Sequence, residues 1–569
     1  MEDKPKITGG DVLVKCLLEE DVKYMFGIIG GQFLNMFDAI HQWGREKGID
    51  TVMFRHEQGA AHAADAWARV TNKPGVCFGT VGPGATDLVP GVGAAWGDNI
   101  PVITIVPQVN SKYDDIFTLQ GNLDQISLFK PITKYQRSIR DLAKIPDAVH
   151  KVFRTAIGGR PGPALLEIYE DAFLEEVEEE NIEILPKDKY RPFGMPAIDN
   201  ELIKRSLELL TKAERPLILS GGGVARSEGW NELKEFVEYL QIPVITTVMG
   251  IGTISNASNC LIDSTIQGFG KEVSYQADVV LALGCKFSFT MGHGDEPFFK
   301  NSQKLIQVDI DPDIIGRAKP ISLGIIGDCK LYIQQMLEEV KKGEQVEKRD
   351  WLESLQDSRM QYKERFLKKI LKDKTPILPE RVVYETLEFM DEDAILVIDG
   401  GDIACYTVEQ INLHKPRPPL STLTSIGMGH LGTSVPYAIG AKLAKPDKQV
   451  ITISGDGSFL FNVQDLETAV RLGLKNIIFV IANNSSWGMI KSCQNKYKGK
   501  HFIDVDLPDF NFAKCAEGFG CYGEVVTDAN ELGSALERAK ISNKPAILDV
   551  KSAQTMSDGT KLMASMGIL

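Results

Sequence analysis

Gln449-Val-Ile-Thr-Ile-Ser-Gly-Asp-Gly457 and Asn476-Ile-Ile-Phe-Val-Ile-Ala-Asn-Asn484 are the two stretches on which the reading of this chain turns. Each is a short apolar, β-branched run closed by small or polar residues, the pattern of a strand buried on both faces of a parallel sheet. Residues 463–472 between them show helical apolar spacing, so the unit reads strand, helix, strand, with Asp456 and Asn484 delivered at strand ends. Ligands gather at that edge of open α/β sheets. Mg²⁺ takes an octahedron of oxygens, few of them from protein when phosphate is present; one carboxylate, one amide oxygen and one backbone carbonyl suit it. Gly455 and Gly457 let backbone N–H groups approach a phosphate. Either motif alone reads equally as a turn or a loop; the pair, each following an apolar strand, points to a metal held on a diphosphate.

Phe54-Arg-His-Glu-Gln-Gly-Ala-Ala-His-Ala-Ala-Asp65 is strand-like up to Phe54 and strongly helical from the alanines on, which puts Glu57 at a strand-to-helix junction. A carboxylate there also complements the helix dipole, so its residue type alone decides nothing. Apolar strand patterns recur at Gly75 to Val81, Pro101 to Val106 and Ala164 to Ile168, alternating with helices. Pro216 to Ser220, Ala277 to Gly284 and Lys304 to Asp311 add buried strands in the middle of the chain. Gly221-Gly-Gly223 follows the first of these; it reads as a structural turn or as part of a nucleotide loop, without the full dinucleotide fingerprint. Leu174 to Pro196 is acidic and turn-rich and reads as a linker, and Lys341 to about Asp373 is highly charged with a thin helical stripe. The expectation is an α/β protein of three doubly wound parallel-sheet domains, at 1–185, 195–340 and 375–569.

The chain has 569 residues, 43% hydrophobic and 25% charged, which is ordinary for a multidomain globular protein. A formal charge of −14 argues against a nucleic-acid partner. Nine scattered cysteines without a Cys-x-x-Cys read as reduced core thiols. No stretch of about 18 apolar residues and no leader pattern is present, so no membrane partner and a cytoplasmic location are expected.

These motifs together resemble the thiamine-diphosphate-dependent decarboxylase and carboligase superfamily, the acetolactate-synthase-like enzymes among them. The resemblance implies thiamine diphosphate and Mg²⁺ as cofactors, with Asp456, the side chain of Asn484 and the carbonyl of Ser486 as metal ligands. It implies that Glu57 hydrogen-bonds the cofactor's pyrimidine and relays its proton, from a pyrimidine-binding first domain, a Rossmann-like middle domain lying before the diphosphate-binding third. Gly427-Met-Gly-His-Leu-Gly432 is similar to the family segment in which a bulky residue wedges the cofactor rings; here that is Leu431, and the carbonyl of Gly429 would accept from the cofactor's amino group. Further cofactor contacts are implied at Thr80, Gly400, Gly401, Gly455, Gly457, Ser458, Trp487, Gly488 and Met489. The family builds its sites between chains, so a homodimer at minimum and a homotetramer are expected.

Within the superfamily, Thr8-Gly-Gly-Asp11, Thr118-Leu-Gln120, Pro131-Ile-Thr-Lys134 and Thr290-Met-Gly-His-Gly294 look most like benzaldehyde lyase and its relatives. That implies a carbon–carbon bond lyase or carboligase acting on 2-hydroxyketones, 2-keto acids or aldehydes, with Gln120 binding a substrate oxygen. Departures matter too. Gln32 stands where benzaldehyde lyase has a histidine and can hydrogen-bond but not shuttle a proton. Ala404 replaces a tyrosine, and Met489 replaces a small residue as in acetolactate synthases, so small or aliphatic donors are favoured. Asp402, beside the expected diphosphate site, would repel phosphate unless turned away. Acetolactate synthase is one alternative, set lower because Ser264 to Lys286 lacks a Gly-Met-His-Gly run, and with it the expectation of FAD. A 2-hydroxyacyl-CoA lyase or oxalyl-CoA decarboxylase is another, set lower because few residues follow the last strand, Ala546 to Lys551.

Overall fold

The computed structural model describes residues 4–121, 123–192, 194–255, 257–264, 268–343 and 347–567. Part of the middle segment weighed above, 265–267, and the final 568–569 lie outside the described residues. The chain divides into two compact units, one of Met1–Phe193, Ser425–Asp447 and Asn462–Leu474, the other of Gly194–Thr424, Lys448–Phe461 and Lys475–Leu569.

The first unit begins with β1 (Lys6–Thr8) and carries β2 (Tyr24–Gly27), β3 (Asp50–Met53), β4 (Gly75–Phe78), β5 (Val102–Gln108), β6 (Tyr135–Ile139), β7 (Ala164–Tyr169) and β8 (Glu176–Glu178). Six of these form one parallel sheet in the order β3-β2-β4-β5-β7-β6. β4, β5 and β7 are buried along their whole length, as their mainly apolar sequences favour, with Thr104, Gln108 and Glu167 buried among them. The helix Glu57–Thr71 is alanine-rich because it is packed on all sides: Ala60, Ala61, Ala63, Ala64, Ala66 and Ala68 are fully buried. Its neighbour, the helix Ser434–Ala444, lies so close that a Cβ on Gly440 would sit 2.3 Å from the Ala63 carbonyl oxygen.

The acidic stretch read as a linker is partly ordered. β8 pairs antiparallel with β1, and Lys6 faces Glu176 at 3.8 Å while Lys4 reaches Glu180 at 2.5 Å. A run of glutamates looks solvated in isolation; lysines 170 to 176 positions away give it a partner strand.

In the second unit, β9 (Pro216–Ser220), β10 (Val244–Thr246), β11 (Leu261–Ser264), β12 (Val279–Leu283), β13 (Lys304–Asp309) and β14 (Leu323–Ile326) form a parallel sheet in the order β11-β10-β9-β12-β13-β14. The strands expected at 216–220, 277–284 and 304–311 are its centre; β10, β11 and β14 are too short to announce themselves. The helix Arg349–Ile370 is the charged stretch, burying only Leu352, Leu355 and Ile370. A second parallel sheet holds β15 (Ile395–Asp399), β16 (Thr422–Leu423), β17 (Val450–Gly455), β18 (Ile477–Asn483), β19 (Tyr522–Val526) and β20 (Ala546–Lys551), in the order β16-β15-β17-β18-β20-β19. β17 and β18 are adjacent and in register from Val450↔Ile477 to Gly455↔Ala482. The helix expected over 463–472 is shorter: Leu460–Asp465 is a 3₁₀ segment kinked at Asn462, whose Nδ2 donates to the Gly432 carbonyl at 2.7 Å, and α-helix begins only at Leu466. Together with the sheet of the first unit, these are the three parallel α/β sheets expected from the sequence.

Candidate active site

Two groups of polar residues lie at carboxyl ends of parallel strands, one in each unit. In the first unit, Gln32 follows β2, Glu57 follows β3, Thr80 follows β4 and Gln120 lies in the loop after β5, four strands that are successive in the sheet. Glu57 is the first residue of its helix; the N-cap is His56, whose Nδ1 accepts from the Gln58 N–H at 3.1 Å. Thr80 Oγ1 donates to Gln32 Oε1 at 3.0 Å. A Cβ on Gly84 would stand 3.0 Å from Glu57 Oε1 and 3.1 Å from Thr80 Cγ2, so the carboxyl and the threonine meet over a glycine that leaves room for both. Gln120 takes a left-handed backbone, φ +66°, and its carbonyl lies against Gly82. Gln125, by contrast, is fixed: Oε1 accepts from Gly82 N–H at 3.0 Å and Nε2 donates to Glu167 Oε2 at 2.8 Å.

Burial pushes the Glu57 carboxyl above the usual carboxylate range, with Asp87 adding to the shift and hydrogen bonding at the helix start opposing it. A carboxyl tuned in that direction holds a proton nearer neutrality, the property a proton relay needs.

Gly429 and Leu431 belong to the same unit. Their loop is pinned by the Gly427 N–H donating to Asp98 Oδ1 at 2.8 Å and by Met428 lying over Gly93 and Gly97. Gly429 has φ +67° and is exposed; Leu431 is half-buried, so both remain open to a ligand. Between them, His430 meets the ring of His62 edge-on at 4.8 Å. His62 is fully buried, neither ring nitrogen has a hydrogen-bond partner among the described residues, and burial drives its imidazole toward the neutral form. His62 and His430 stand in two separate motifs, and nothing in their spacing announces that they touch.

In the second unit, the ends of β15, β17 and β18 lie side by side and carry Gly400-Gly401, Gly455-Asp456 and Asn484. Asp456 Oδ1 accepts from Gly457 N–H at 2.9 Å and Oδ2 from Ser486 N–H at 3.3 Å. Asn484 Oδ1 accepts from Ser486 Oγ at 2.9 Å. The three residues expected to ligate a metal are therefore in one cluster. Asn483 is occupied elsewhere, donating to Asp549 Oδ1 at 2.8 Å. Burial raises the Asp456 carboxyl, and only neutral N–H groups offset it. An all-oxygen set around a buried carboxylate fits Mg²⁺, whose charge would stabilise the ionised form.

The backbone around this cluster is cut for close approach. Gly400 has φ +117°, and a Cβ on Gly457 would lie 2.8 Å from the Trp487 ring. Ser458 Oγ donates to Asp399 Oδ1 at 2.6 Å. Gln554, which sequence reading passed over, clasps the loop after β18: it accepts from Ser486 Oγ at 2.6 Å and donates to the Gly488 carbonyl at 2.8 Å. Its only sequence signal is its place just past the last strand. Met489 lies against Gly401, where a Cβ would be 3.3 Å from the methionine's own Cβ and 3.4 Å from its sulfur. Asp402 is turned away: Oδ1 accepts from Ser557 N–H at 3.0 Å and Thr560 Oγ1 at 2.6 Å. In the middle sheet, Gly221 and Gly223 pack on Gly284, with Cβ positions 2.3 and 2.5 Å from its backbone, so these glycines serve contact within the chain.

Residues 7–128 match the N-terminal TPP binding domain of thiamine pyrophosphate enzymes, 203–336 their central domain and 402–550 their C-terminal TPP binding domain. The chain is 34% identical over 559 residues to a probable acetolactate synthase large subunit of Methanocaldococcus jannaschii, covering 95% of this chain and 91% of the relative. It is 32% identical to the acetolactate synthase large subunits of Cyanidium caldarium, over 95% of this chain and 92% of that one, and of Corynebacterium glutamicum, over 96% and 86%. These relatives favour the acetolactate-synthase-like alternative over the benzaldehyde-lyase reading.

Proposed function

The chain belongs to the thiamine pyrophosphate enzymes and is acetolactate-synthase-like, and on that premise we propose that it joins two small aliphatic carbonyl compounds, with a 2-keto acid as donor. The observation that carries this choice is Met489 lying against Gly401 beside the diphosphate loops. A long thioether there takes the space an aromatic donor ring would need and offers an apolar, adaptable wall to a methyl or ethyl group.

Thiamine diphosphate, when bound, supplies the electron sink for making and breaking the carbon–carbon bond. Asp456, Asn484 and the Ser486 carbonyl would hold Mg²⁺, while Gly400, Gly401, Gly455, Gly457, Ser458 and Gly488 would receive the diphosphate and Trp487 would back the loop. Gly429 would present its carbonyl and Leu431 its side chain to the rings. Glu57 would hold the proton exchanged with the pyrimidine, its carboxyl raised by burial for that purpose, and Thr80 would orient Gln32. Gln32 and Gln120 would hydrogen-bond substrate oxygens; neither amide titrates, so solvent must supply the protons consumed at those oxygens.

Because the family's sites are shared between chains, the active unit proposed is a homodimer, with a tetramer built from it. We retain 1–185, 195–340 and 375–569 as its domains and a cytoplasmic location; no described helix is long and apolar enough to cross a membrane.

Product analysis with thiamine diphosphate, Mg²⁺ and separate panels of 2-keto acids, aldehydes, 2-hydroxyketones and a 2-hydroxyacyl-CoA tests the reading. Two molecules of pyruvate should give one branched 2-hydroxy-3-keto acid and one CO2, the donor's carboxylate leaving as its carbonyl carbon joins the acceptor, and Met489→Ala should extend the donors to aromatic 2-keto acids. Activity confined to cleaving aromatic 2-hydroxyketones, or to the acyl-CoA, would overturn it.

A further inference from the structure

At the far edge of the first sheet from β3, whose end carries Glu57, a cleft of about 350 Å³ opens between β6, the helix Ile145–Ile157 and the segment that ends at Tyr190. Its size is that of a small-molecule site. Three cations line it, Arg137 from β6 and Lys151 and Arg154 from the helix, against one carboxylate, Asp147. This local excess of positive charge stands in a chain whose formal charge is −14. The helix offers it deliberately spaced: positions 147, 150, 151 and 154 share one face.

The wall is aromatic as well as basic. His150 stacks on Tyr190 with ring centroids 4.0 Å apart and planes 21° from parallel. The Lys151 ammonium lies 4.8 Å from the centre of the Tyr135 ring. Arg154 donates through Nη1 to the Tyr190 carbonyl at 3.1 Å, which holds its guanidinium at the rim. His150 is buried, yet its Nε2 has no hydrogen-bond partner among the described residues. That nitrogen is closed off from solvent, so His150 contributes its ring and not its nitrogen to the cleft wall.

We propose that this cleft binds an organic phosphate with a planar ring, of about the size of a nucleoside monophosphate. Arg137, Lys151 and Arg154 hold the phosphate, since two or three cations with a fork geometry suit a dianion better than a single carboxylate. The ring lies along the Tyr135 and Tyr190 wall. The site is independent of the cofactor motifs and of the function proposed above.

The test uses the full chain with its cofactor sites filled by thiamine diphosphate and Mg²⁺ and the excess removed, so that nucleotides cannot occupy the cofactor's diphosphate site. AMP, GMP, CMP and UMP are titrated calorimetrically at low ionic strength, with adenosine and inorganic phosphate as controls. At least one nucleotide should bind saturably and more tightly than phosphate, adenosine should not bind, and Arg137→Gln with Lys151→Gln should weaken binding by about tenfold or more without changing the melting temperature of the unliganded protein. Tyr135→Leu removes the ring wall on the β6 side and should weaken the nucleotide while leaving phosphate unaffected. No saturable nucleotide binding, adenosine binding as tightly as AMP, or affinity unchanged in the double variant would each overturn the proposal.

Discussion

Glu57 is where composition, local structure and burial converge on one atom. A glutamate opening a helix is common; one that is buried, raised in pKa and set against Gly84 and Thr80 at the ends of successive strands is not explained by helix stability. Glu57→Gln keeps the volume and removes the ionisation. We expect turnover to fall by about a hundredfold or more while thiamine diphosphate and Mg²⁺ still bind, read by steady-state rates beside calorimetric titration. Loss of cofactor binding instead would assign the residue to the fold.

Glu409 is the residue with the clearest pH signature. Its Oε1 accepts from the Gly559 N–H at 2.7 Å at the start of the helix Asp558–Ser565, and burial pushes its carboxyl from an ordinary 4.5 to about 8, with Asp558, Asp402 and Glu380 adding to the shift. The folded chain therefore binds a proton here that the unfolded chain has released. Stability from this group is present below about 4.5, is lost as pH rises through the window to about 8, and changes no further above it. Glu409→Gln should flatten the fall in melting temperature between pH 5 and 8, measured by calorimetry; an unchanged slope would mean that other groups set it.

Among elements, the packing of the helix Ser434–Ala444 on Glu57–Thr71 decides whether Gly429 and Leu431 share a unit with Glu57. The contact combines the close approach at Gly440 with a buried ionic network: Arg69 Nε donates to Asp65 Oδ1 at 2.8 Å and Nη2 to Asp98 Oδ2 at 2.9 Å, and the Tyr437 hydroxyl donates to Asp65. Removing the cation would leave two carboxylates buried together. Arg69→Met should cost about 3–5 kcal/mol, read as a lower denaturant midpoint. Asp98 also accepts from Gly427 N–H, so the same variant should loosen the 427–431 loop. Sequence composition foresaw the helix Glu57–Thr71, because an alanine-rich run is a local pattern; the helix Ser434–Ala444 carried no such reading. Composition could not foresee the network, whose members lie in three segments, with Asp98 29 positions from Arg69 and Tyr437 372 positions from Asp65.

The same contrast holds for strands. β17, β18 and β20 are long apolar runs and legible one by one. β8 is a row of glutamates that becomes a strand through lysines at the other end of the domain.

For the whole molecule, the proposed sharing of a site between chains has the sharpest test. If Glu57 of one chain serves the diphosphate held by another, coexpressing Glu57→Gln with Asp456→Ala chains should restore about a quarter of wild-type turnover, because half of randomly paired dimers contain one intact site. Each variant alone should be inactive. Activity absent from the mixture would place both residues of a site in one chain. A ligand that binds only the folded chain also stabilises it, by about 2.7 kcal/mol at a hundredfold excess over its Kd, so thiamine diphosphate should raise the melting temperature with Mg²⁺ and lose the effect on chelation.

By itself the sequence determined the α/β class, the strand ends that carry Asp456, Asn484 and Glu57, and the family, because each depends on a contiguous pattern: apolar strands, glycines where backbone must come close, a carboxylate at a strand-to-helix junction. Only the tertiary structure decided that Asp402 turns toward Ser557 and Thr560, that Gln554 clasps the loop of Ser486 and Gly488, that His62 meets His430, and that basic residues from a strand and a helix line one cleft. The physical reason is that side-chain direction and long-range pairing follow from burial and hydrogen-bond satisfaction in the packed chain, and these are set by residues that no local window contains.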